Sequence, residues 1–287
     1  MSALRTPQAV GIVAHRERSE ARELAARVVD WFESHGVEVR IPEPDAAGLE
    51  RVAVPVDAFA AGLDLALSLG GDGTMLRTVD LVYDAGVPVL GVNVGQLGYL
   101  AEVEPEDLDP VLDKLLAGDY AVSDRMMLQV TVESDSSAAG RWWAFNETVL
   151  EKPHPGRVAR LEVTINGAFF TSYAADGVIV ATPTGSTAYS FSARGPIVSP
   201  RLRCLLLTPV SPHMLFDRSL VLDADEELAL TVSDGTVLLT IDGRERGVLD
   251  AGDTVRCTGG PRPARLVTFG PRDFHQILKA KFGLPDR

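Results

Sequence analysis

The sequence predicts an α/β N-terminal domain with a parallel sheet, a β-rich C-terminal domain and a C-terminal helix. Apolar strands alternate with helical spacing up to about residue 122, short alternating strands follow one another from Arg125 onward, and helical spacing returns after Pro271. Strands that alternate with helices are typical of a parallel sheet, whereas closely spaced alternating strands indicate an antiparallel β fold. We therefore expect an α/β domain at 1–122, a β-rich domain at 123–270, and a helix at 271–287 that packs back on the N-terminal domain.

The elements of the N-terminal domain follow from apolar spacing. Leu24, Val28, Val29 and Phe32 recur at helical spacing and predict a helix over residues 19–35 that ends before Gly36. Helical spacing also follows residue 74 and covers residues 107–116. Buried strands are predicted at Ala9–His15, Val37–Ile41, Leu63–Leu69 and Val87–Val92.

The second half of the chain is predicted to be mostly β. Asn166-Gly167 lies between two alternating runs and is a strong hairpin signal. From Pro271 onward, the spacing of four apolar residues up to Phe282 predicts the closing helix. The strands are predicted at Met127–Glu133, Trp142–Glu151, Ala159–Ile165, Ala168–Tyr173, Gly177–Thr182, Arg203–Thr208, Leu228–Ser233, Thr236–Ile241, Thr254–Thr258 and Arg265–Phe269.

Composition and charge exclude several classes of function. Apolar residues make up 46% of the chain, so a sizeable core can form, and the formal net charge of -13 argues against a nucleic-acid or anionic-membrane partner. Cys204 and Cys257, the two cysteines, are expected to be buried free thiols, which fits a reducing compartment. Because the first residues lack the apolar core of a signal peptide and no run is long enough to span a membrane, we expect a cytoplasmic protein.

A glycine-rich turn with one carboxylate follows the third predicted strand. Leu69-Gly70-Gly71-Asp72-Gly73-Thr74 stands between that strand and helical spacing. Ligands of open α/β sheets bind at the carboxyl ends of strands, where glycines let a phosphate approach backbone N–H groups at a helix N-terminus. Asp72 is therefore a candidate general base, or a carboxylate linked to a metal ion, that acts on a hydroxyl beside a bound polyphosphate. Taken alone, the motif also fits a turn whose Asp or Thr caps the helix.

A second unusual stretch occupies residues 176–192. An apolar strand after Asp176 leads into Thr182-Pro-Thr-Gly-Ser-Thr-Ala-Tyr-Ser-Phe-Ser192, a loop of hydroxyls and glycine that can turn polar groups toward a ribose or phosphate. An ordinary turn whose hydroxyls satisfy their own backbone would show the same pattern. The two stretches together favour a two-part nucleotide site.

These motifs resemble those of the NAD kinase family. The resemblance covers about residues 9–282 and rests on four ordered motifs, which are far more specific than one. It implies an enzyme that transfers the terminal phosphoryl group of ATP or polyphosphate to the adenosine ribose 2′-hydroxyl of NAD, in a homo-oligomer such as a dimer or tetramer. The motifs are Gly70-Gly71-Asp72-Gly73-Thr74, Gly91-Val92-Asn93 with Gly95-Gln96-Leu97-Gly98-Tyr99-Leu100, Phe145-Asn146-Glu147, and Asp176 through Ser192.

The resemblance also implies roles for individual residues. Asp72 would accept the proton of the 2′-hydroxyl, with Gly73 closing on the nucleotide and Gly70, Gly71, Gly73 and Thr74 cradling phosphate. Arg77 would contact NAD or phosphate, although a solvated helix arginine is the ordinary alternative. The remaining residues implied to bind NAD are Asn146, Glu147, Arg157, Asp176, Thr187, Ala188, Tyr189, Ser190, Phe191 and Ser192.

The residues leave some alternatives open. Magnesium is expected to arrive with the phosphate donor, and no residue is assigned to a metal. A lipid or sugar kinase that shares the Gly-Gly-Asp-Gly motif, or a non-catalytic dinucleotide sensor, remains an alternative. His213 lacks a partner motif and is interpreted as structural. A ligand contact from the turn that contains Arg244 is doubtful, because many family members have glutamine there.

Overall fold

A computed structural model describes residues 6–95, 98–270 and 274–285. The chain forms two compact units, one of residues up to Asp124 together with those from Ala264, the other of residues Arg125–Pro263. The first elements are Ala9–Ala14 (β1), Ser19–Ser34 (α1), Glu38–Pro42 (β2), Ala53–Val54 (β3), Leu65–Gly70 (β4), Asp72–Val82 (α2), Val89–Asn93 (β5), Leu108–Ala117 (α3), Ala121–Arg125 (β6), Leu128–Glu133 (β7) and Gly140–Ala144 (β8).

Strands dominate the remainder of the chain. The elements are Glu147–Glu151 (β9), Ala159–Ile165 (β10), Ala168–Ala175 (β11), Gly177–Ala181 (β12), Tyr189–Ser192 (α4), Cys204–Val210 (β13), Leu220–Asp223 (β14), Leu228–Asp234 (β15), Thr236–Ile241 (β16), Arg244–Asp250 (β17), Thr254–Gly259 (β18), Ala264–Thr268 (β19) and Phe274–Phe282 (α5).

The first unit contains one seven-stranded sheet in the order β3-β2-β1-β4-β5-β19-β6. Strands β1, β2, β4, β5 and β19 pair in parallel. Every residue of β1 and β4 is buried, as expected for parallel strands that are covered on both faces. Helix α1 buries the predicted apolar face, and Gly36 follows it with a φ of 75°, a left-handed conformation that suits a helix end.

The second unit is a pair of six-stranded sheets. Their orders are β11-β10-β15-β18-β7-β8 and β14-β13-β12-β9-β16-β17. One hydrophobic core contains Val130 and Leu230 from the first sheet and Val180 and Leu239 from the second, so the two sheets pack face to face. The predicted fold class, α/β followed by β-rich with a closing helix, is confirmed.

Two strand predictions differ from the structure. The single strand predicted at Trp142–Glu151 is wrong: Trp142 pairs with Val130 in one sheet, whereas Thr148 pairs with Val180 in the other. The strand predicted at 265–269 forms at Ala264–Thr268, but it pairs with β5 in the first unit, whereas the sequence grouped it with the β-rich segment. Local alternation cannot reveal which sheet a strand joins, because the pairing partners are distant in sequence.

The Asn166-Gly167 hairpin is confirmed. These residues have φ angles of 51° and 78° and join β10 to β11 in an antiparallel pair. Cys204 and Cys257 are buried free thiols, as predicted. Within the described ranges, no helix has the length and apolarity needed to cross a membrane.

Candidate active site

The first part of the candidate site lies where the strand order of the first unit reverses. The chain moves outward from β1 to β2 on one side, and from β4 to β5 on the other. Ligands of open α/β sheets bind outside the carboxyl ends of the strands at such a switch point. The backbone N–H of His15, just after β1, donates to the Leu69 carbonyl of β4 at 2.9 Å, so the two strand ends lie side by side. The glycine-rich motif follows β4 directly.

Asp72 is the first residue of α2, and its carboxylate faces a neighbouring loop. The backbone N–H groups of Tyr99 and Leu100 donate to its two oxygens at 3.0 and 3.1 Å. A Cβ atom at Gly98 would lie 2.2 Å from Asp72 Oδ1, so only glycine allows this approach. Gln96 and Leu97 of the same motif lie outside the described residues. The alternative that Asp72 merely caps the helix is wrong, since the helix cap is Gly71 without a side-chain hydrogen bond.

The glycines around Asp72 have different surroundings. A Cβ at Gly70 would lie 2.3 Å from Thr74 Oγ1, so Gly70 permits close packing of β4 against α2. Built Cβ atoms at Gly71 and Gly73 would have no neighbour within 4 Å, which leaves open space beside the backbone. Thr74 is buried, and its carbonyl accepts the Thr78 hydroxyl at 2.8 Å. The two open glycines are the part of the motif that a phosphate can approach.

Arg77 is fixed by partners within the first unit. Its guanidinium donates to Asp45 Oδ1 at 2.5 Å and to the Ala14 carbonyl at 2.6 Å. Arg16 donates to the same Asp45 oxygen at 2.6 Å, and the Asp45 side chain is fully buried. Arg18 donates to the Val94 carbonyl and lies where a Gly95 side chain would be. Three arginines therefore flank the carboxyl ends of β1 and β4, although a direct ligand contact by Arg77 stays a prediction.

The second part of the candidate site lies in the β unit, where the chain changes sheets between β8 and β9. The Thr182 backbone N–H donates to the Asn146 carbonyl at 2.9 Å, and the Thr182 hydroxyl donates to the Phe145 carbonyl at 2.6 Å. A Cβ at Gly185 would lie 2.1 Å from the Asn146 carbonyl oxygen. The structure thus brings together the predicted Asn146-Glu147 motif and the predicted loop that begins at Thr182.

Asp242 is a residue of this site that the sequence analysis did not identify. Its carboxylate accepts the backbone N–H groups of Phe145, Asn146 and Glu147 at 2.7, 2.8 and 3.1 Å. Its own N–H donates to the Glu147 carbonyl at 2.9 Å. The signal that could have found it is Asp242-Gly243 between two alternating runs, which predicts a tight hairpin, and both residues have positive φ angles of 48° and 73°.

Glu147 is a buried carboxyl group with an unusual environment. Its residue exposure is 7%, and its Oε2 atom has no hydrogen-bond partner among the described residues. Burial, followed by the nearby Asp242 carboxylate, raises the pKa of Glu147 to about 8, against the opposing effect of the Tyr189 backbone N–H. Near neutral pH the side chain is therefore mainly the neutral acid, which can donate an O–H as well as accept.

The residues of the loop that is predicted to line the adenosine differ in their exposure to solvent. Tyr189 and Phe191 are each 37% exposed, whereas Ser190 is buried with its hydroxyl 3.1 Å from Thr208 Oγ1. The Thr187 hydroxyl donates to the Thr184 carbonyl at 3.3 Å. Ala188 is half-buried and Ser192 is exposed. The two aromatic rings are thus the residues of this loop best placed to stack on a base.

The other predicted residues lie in plainer surroundings. Asp176 forms an ion pair with Lys152 at 2.5 Å, and Arg157 is exposed. His213 is exposed, and its backbone N–H donates to the Ala174 carbonyl at 2.8 Å. Arg244 begins β17 opposite Ile241. Among the residues that the structure describes, no group of three or more His, Cys, Asp or Glu side chains is arranged to hold a metal ion.

Comparisons with known proteins identify relatives of both halves of the chain. Residues 10–120 match the family described as ATP-NAD kinase N-terminal domain, and residues 145–269 match ATP-NAD kinase C-terminal domain. An NAD kinase of Moorella thermoacetica is 43% identical over 280 residues, which cover 96% of this chain and 89% of that protein. An NAD kinase of Heliobacterium modesticaldum is 42% identical over 275 residues, which cover 95% of this chain and 97% of the relative.

Solved structures show the same fold. Yeast NADH kinase complexed with NADH superposes with a TM-score of 0.90 at 26% identity, and the match covers 98% of this chain and 89% of the yeast chain. An NAD kinase from Archaeoglobus fulgidus in complex with ATP gives a TM-score of 0.71 at 24% identity, with 96% of both chains covered. Since both halves match the family and relatives above 40% identity span nearly its full length, the chain belongs to the NAD kinase family.

Proposed function

We propose that the protein transfers the terminal phosphoryl group of ATP to the 2′-hydroxyl of the adenosine ribose of NAD, giving NADP, with Asp72 as the base. The observation that carries the assignment of Asp72 is its place at the switch point, directly after β4 and beside two open glycines. ATP as donor is supported by the family description of both halves, ATP-NAD kinase. The lipid-kinase and sugar-kinase alternatives have no support from these comparisons.

Asp72 suits the role of proton acceptor. Phosphoryl transfer needs the nucleophile and donor to be positioned, charge to be neutralised, and one group to orient or deprotonate the attacking hydroxyl. Each Asp72 oxygen accepts one backbone N–H, from Tyr99 or Leu100, and a carboxylate oxygen has room for about two hydrogen bonds. One acceptor position on each oxygen can therefore serve the hydroxyl, which becomes acidic as its oxygen bonds to phosphorus.

The donor phosphates are assigned to the open backbone of Gly71 and Gly73 at the start of α2. An anion at this position gains from the helix dipole and from free N–H groups in the first turn. Gly70 and Thr74 hold this turn against β4, and Arg16 and Arg18 supply positive charge after β1. Arg77, on α2, would contact either these phosphates or NAD.

NAD binding is assigned to the polar residues of the β unit. The Asn146 amide can pair with adenine, and the buried Glu147 oxygen without a partner fits a ribose hydroxyl. The rings of Tyr189 and Phe191 can stack on a base, with Thr187, Ala188, Ser190 and Ser192 completing the loop. Asp176 would contact the nicotinamide or its ribose, and exposed Arg157 the dinucleotide phosphates.

Magnesium is proposed to accompany the donor. When bound, it would neutralise charge on the phosphates, and it usually keeps several waters and needs one or two protein carboxylates. The remaining acceptor positions of Asp72 fit one such contact. Inorganic polyphosphate is a second proposed donor, because the same backbone N–H groups would bind its terminal phosphates.

A homo-oligomer and a cytoplasmic location are also proposed. In the β unit Phe169 is 65% exposed, Leu215 is fully exposed and Val221 is 56% exposed, which is costly for large apolar side chains in water. Phe169 and Val221 lie on β11 and β14, each at the edge of a sheet, where a second copy could cover them. The two free thiols fit a reducing cytoplasm.

The direct test is NADP formation by the purified protein with magnesium, comparing ATP with polyphosphate and NAD with NADH. Asp72→Asn should lower turnover about 100-fold or more, the usual scale for a lost acid–base group, while NAD binding changes by less than about tenfold. Asp80→Asn, an exposed change on the same helix, is the matched control. Unchanged turnover in Asp72→Asn would refute the base assignment, and NAD binding without product from either donor would favour the sensor.

A further inference from the structure

The segment 145–147 lies where the chain passes from one sheet to the other, with Glu147 as the first residue of β9. Strand β8 before it belongs to one sheet and β9 after it to the other. Buried backbone N–H groups need an acceptor, and in this segment a side chain supplies it. One side chain, Asp242, accepts all three N–H groups of this segment within 3.1 Å. The segment is therefore held by a carboxylate from a hairpin about a hundred residues further along the chain.

The Asp242 carboxylate is itself placed by the hairpin between β16 and β17. Ile241, the last residue of β16, pairs with Thr148 of β9, which brings the next residue beside Glu147. The left-handed turn at Asp242 and Gly243 then directs the chain back along β17. The Asp242 N–H closes the arrangement by donating to the Glu147 carbonyl. The turn and the 145–147 segment thus bind each other through four hydrogen bonds.

We propose that Asp242 is a positioning residue for NAD binding, which fixes the backbone of residues 145–147 and so directs the Asn146 and Glu147 side chains at the dinucleotide. This inference rests on the proposed assignment of Asn146 and Glu147 to NAD. The proposed effect on the ligand is indirect, because it acts through the three backbone N–H groups that the carboxylate accepts.

The same carboxylate influences how Glu147 meets the ligand. From the β16–β17 turn Asp242 adds negative charge, from α4 the Tyr189 backbone N–H opposes it, and from β12 the neighbour is uncharged Ala181. Together with burial, Asp242 keeps Glu147 mainly neutral near pH 7, since the pKa of Glu147 is raised to about 8. A neutral Glu147 donates its O–H to a ligand oxygen or ring nitrogen, in the manner of a buried acid held in its protonated form.

The experiment compares steady-state kinetics of the full-length enzyme and its Asp242→Asn variant over a range of pH. The amide has one oxygen acceptor and no charge, so the variant should raise the KM for NAD at least about tenfold, the scale of a lost charge-assisted hydrogen bond. We expect kcat at saturating NAD and the KM for ATP to change less than about twofold, as for a loss of uniform binding. Asp234→Asn is the matched control, because Asp234-Gly235 forms the turn at the other end of β16 and its carboxylate is exposed.

The pH profile separates positioning from a general loss of structure. Without the Asp242 charge Glu147 should ionise at lower pH, so the pH at which the KM for NAD changes should move toward acid in Asp242→Asn. Thr182→Val removes an uncharged contact to the same segment and should raise the KM for NAD without moving the profile. Thr182→Val also keeps the inference testable if Asp242→Asn does not fold.

The possible outcomes distinguish a failure of the role of Asp242 from a failure of the assignment of residues 145–147 to NAD. A KM for NAD that is unchanged in Asp242→Asn, or an equal loss of kcat with both KM values affected, would overturn the positioning role. A profile that does not move would overturn the effect on Glu147. If Asn146→Ala also leaves the KM for NAD unchanged, the assignment of this segment to NAD fails instead, whatever Asp242 does.

Discussion

Glu147→Gln should make the protein more stable at alkaline pH but not at acid pH. Burial, and then the Asp242 carboxylate, raises the pKa of Glu147 from the ordinary 4.5 to about 8. A group whose native pKa is raised binds its proton more tightly in the folded state, so its contribution is complete below the unfolded pKa and is lost as pH rises through the native value. The wild-type protein should therefore lose stability between about pH 4.5 and pH 8.

The size of the effect follows from the two pKa values. One pKa unit corresponds to about 1.4 kcal/mol, so the interval from 4.5 to about 8 corresponds to about 4 to 5 kcal/mol once Glu147 is fully ionised. Glutamine has nearly the shape of the neutral acid and cannot ionise. At about pH 5 the free energies of unfolding of wild type and Glu147→Gln should agree within about 1 kcal/mol, and at about pH 9 the variant should be more stable by several kcal/mol.

Urea unfolding at several pH values measures this difference. Trp31 lies in the first unit, while Trp142 and Trp143 lie in the second, so a Trp31→Phe background makes tryptophan fluorescence report the unit that contains Glu147. Glu162→Gln, an exposed change on β10 of the same unit, is the control and should give no pH-dependent difference. A Glu147→Gln variant that is equally stabilised at both ends of the pH range, or destabilised at alkaline pH, would refute the reasoning.

Two further changes test the first unit. Gly98→Ala would place a methyl group 2.2 Å from Asp72 Oδ1 and so displace that carboxylate. It should lower kcat about 100-fold, because moving a catalytic group by about 1 Å has a cost of that size. An unchanged kcat would show that the contact is dispensable. Asp45→Ala removes the buried partner of Arg16 and Arg77 and should destabilise the protein by about 3 kcal/mol in urea unfolding, whereas a loss below about 1 kcal/mol would mean that water replaces the carboxylate.

The spacing of apolar residues predicted the helices that bury one face and the strands that are buried along their whole length. The helix at 19–34 and the fully buried strands β1 and β4 follow from apolar spacing, because each element satisfies its backbone locally or through a neighbour that is close in the chain. Apolar spacing did not predict which sheet each strand joins. β8 and β9 read as one alternating run, yet they belong to different sheets, and β19 returns to a sheet formed mainly by residues before position 94. These pairings depend on contacts between residues far apart in sequence.

The candidate site also contains residues that the sequence predicted and residues that only the structure showed. The motif that contains Asp72 was recognisable because glycine, carboxylate and strand end occur together in a few residues. Asp242 was not recognised, because its role lies in three hydrogen bonds to residues 95 to 97 positions earlier. The raised pKa of Glu147 likewise depends on its burial and on Asp242, which is far from it in sequence. Motifs indicated which residues could bind a ligand, and the structure shows which side chain holds the backbone of one such motif.

The net charge of the chain has different consequences for a nucleic acid and for a small nucleotide. The formal net charge of -13 creates a field that opposes a long polyanion, whose binding depends on many phosphate contacts spread over a surface. A nucleotide needs only a small region, and at physiological salt charges beyond about 8 Å are largely screened. Near the ends of β1 and β4 lie three arginines, of which Arg16 and Arg77 bind the buried Asp45 and Arg18 binds the Val94 carbonyl. Counted with the Asp45 and Asp72 carboxylates, the three guanidinium groups leave this region with a small positive excess. An acidic protein can therefore exclude nucleic acid and still bind a small phosphate ligand, because the first depends on overall charge and the second on the few side chains within reach.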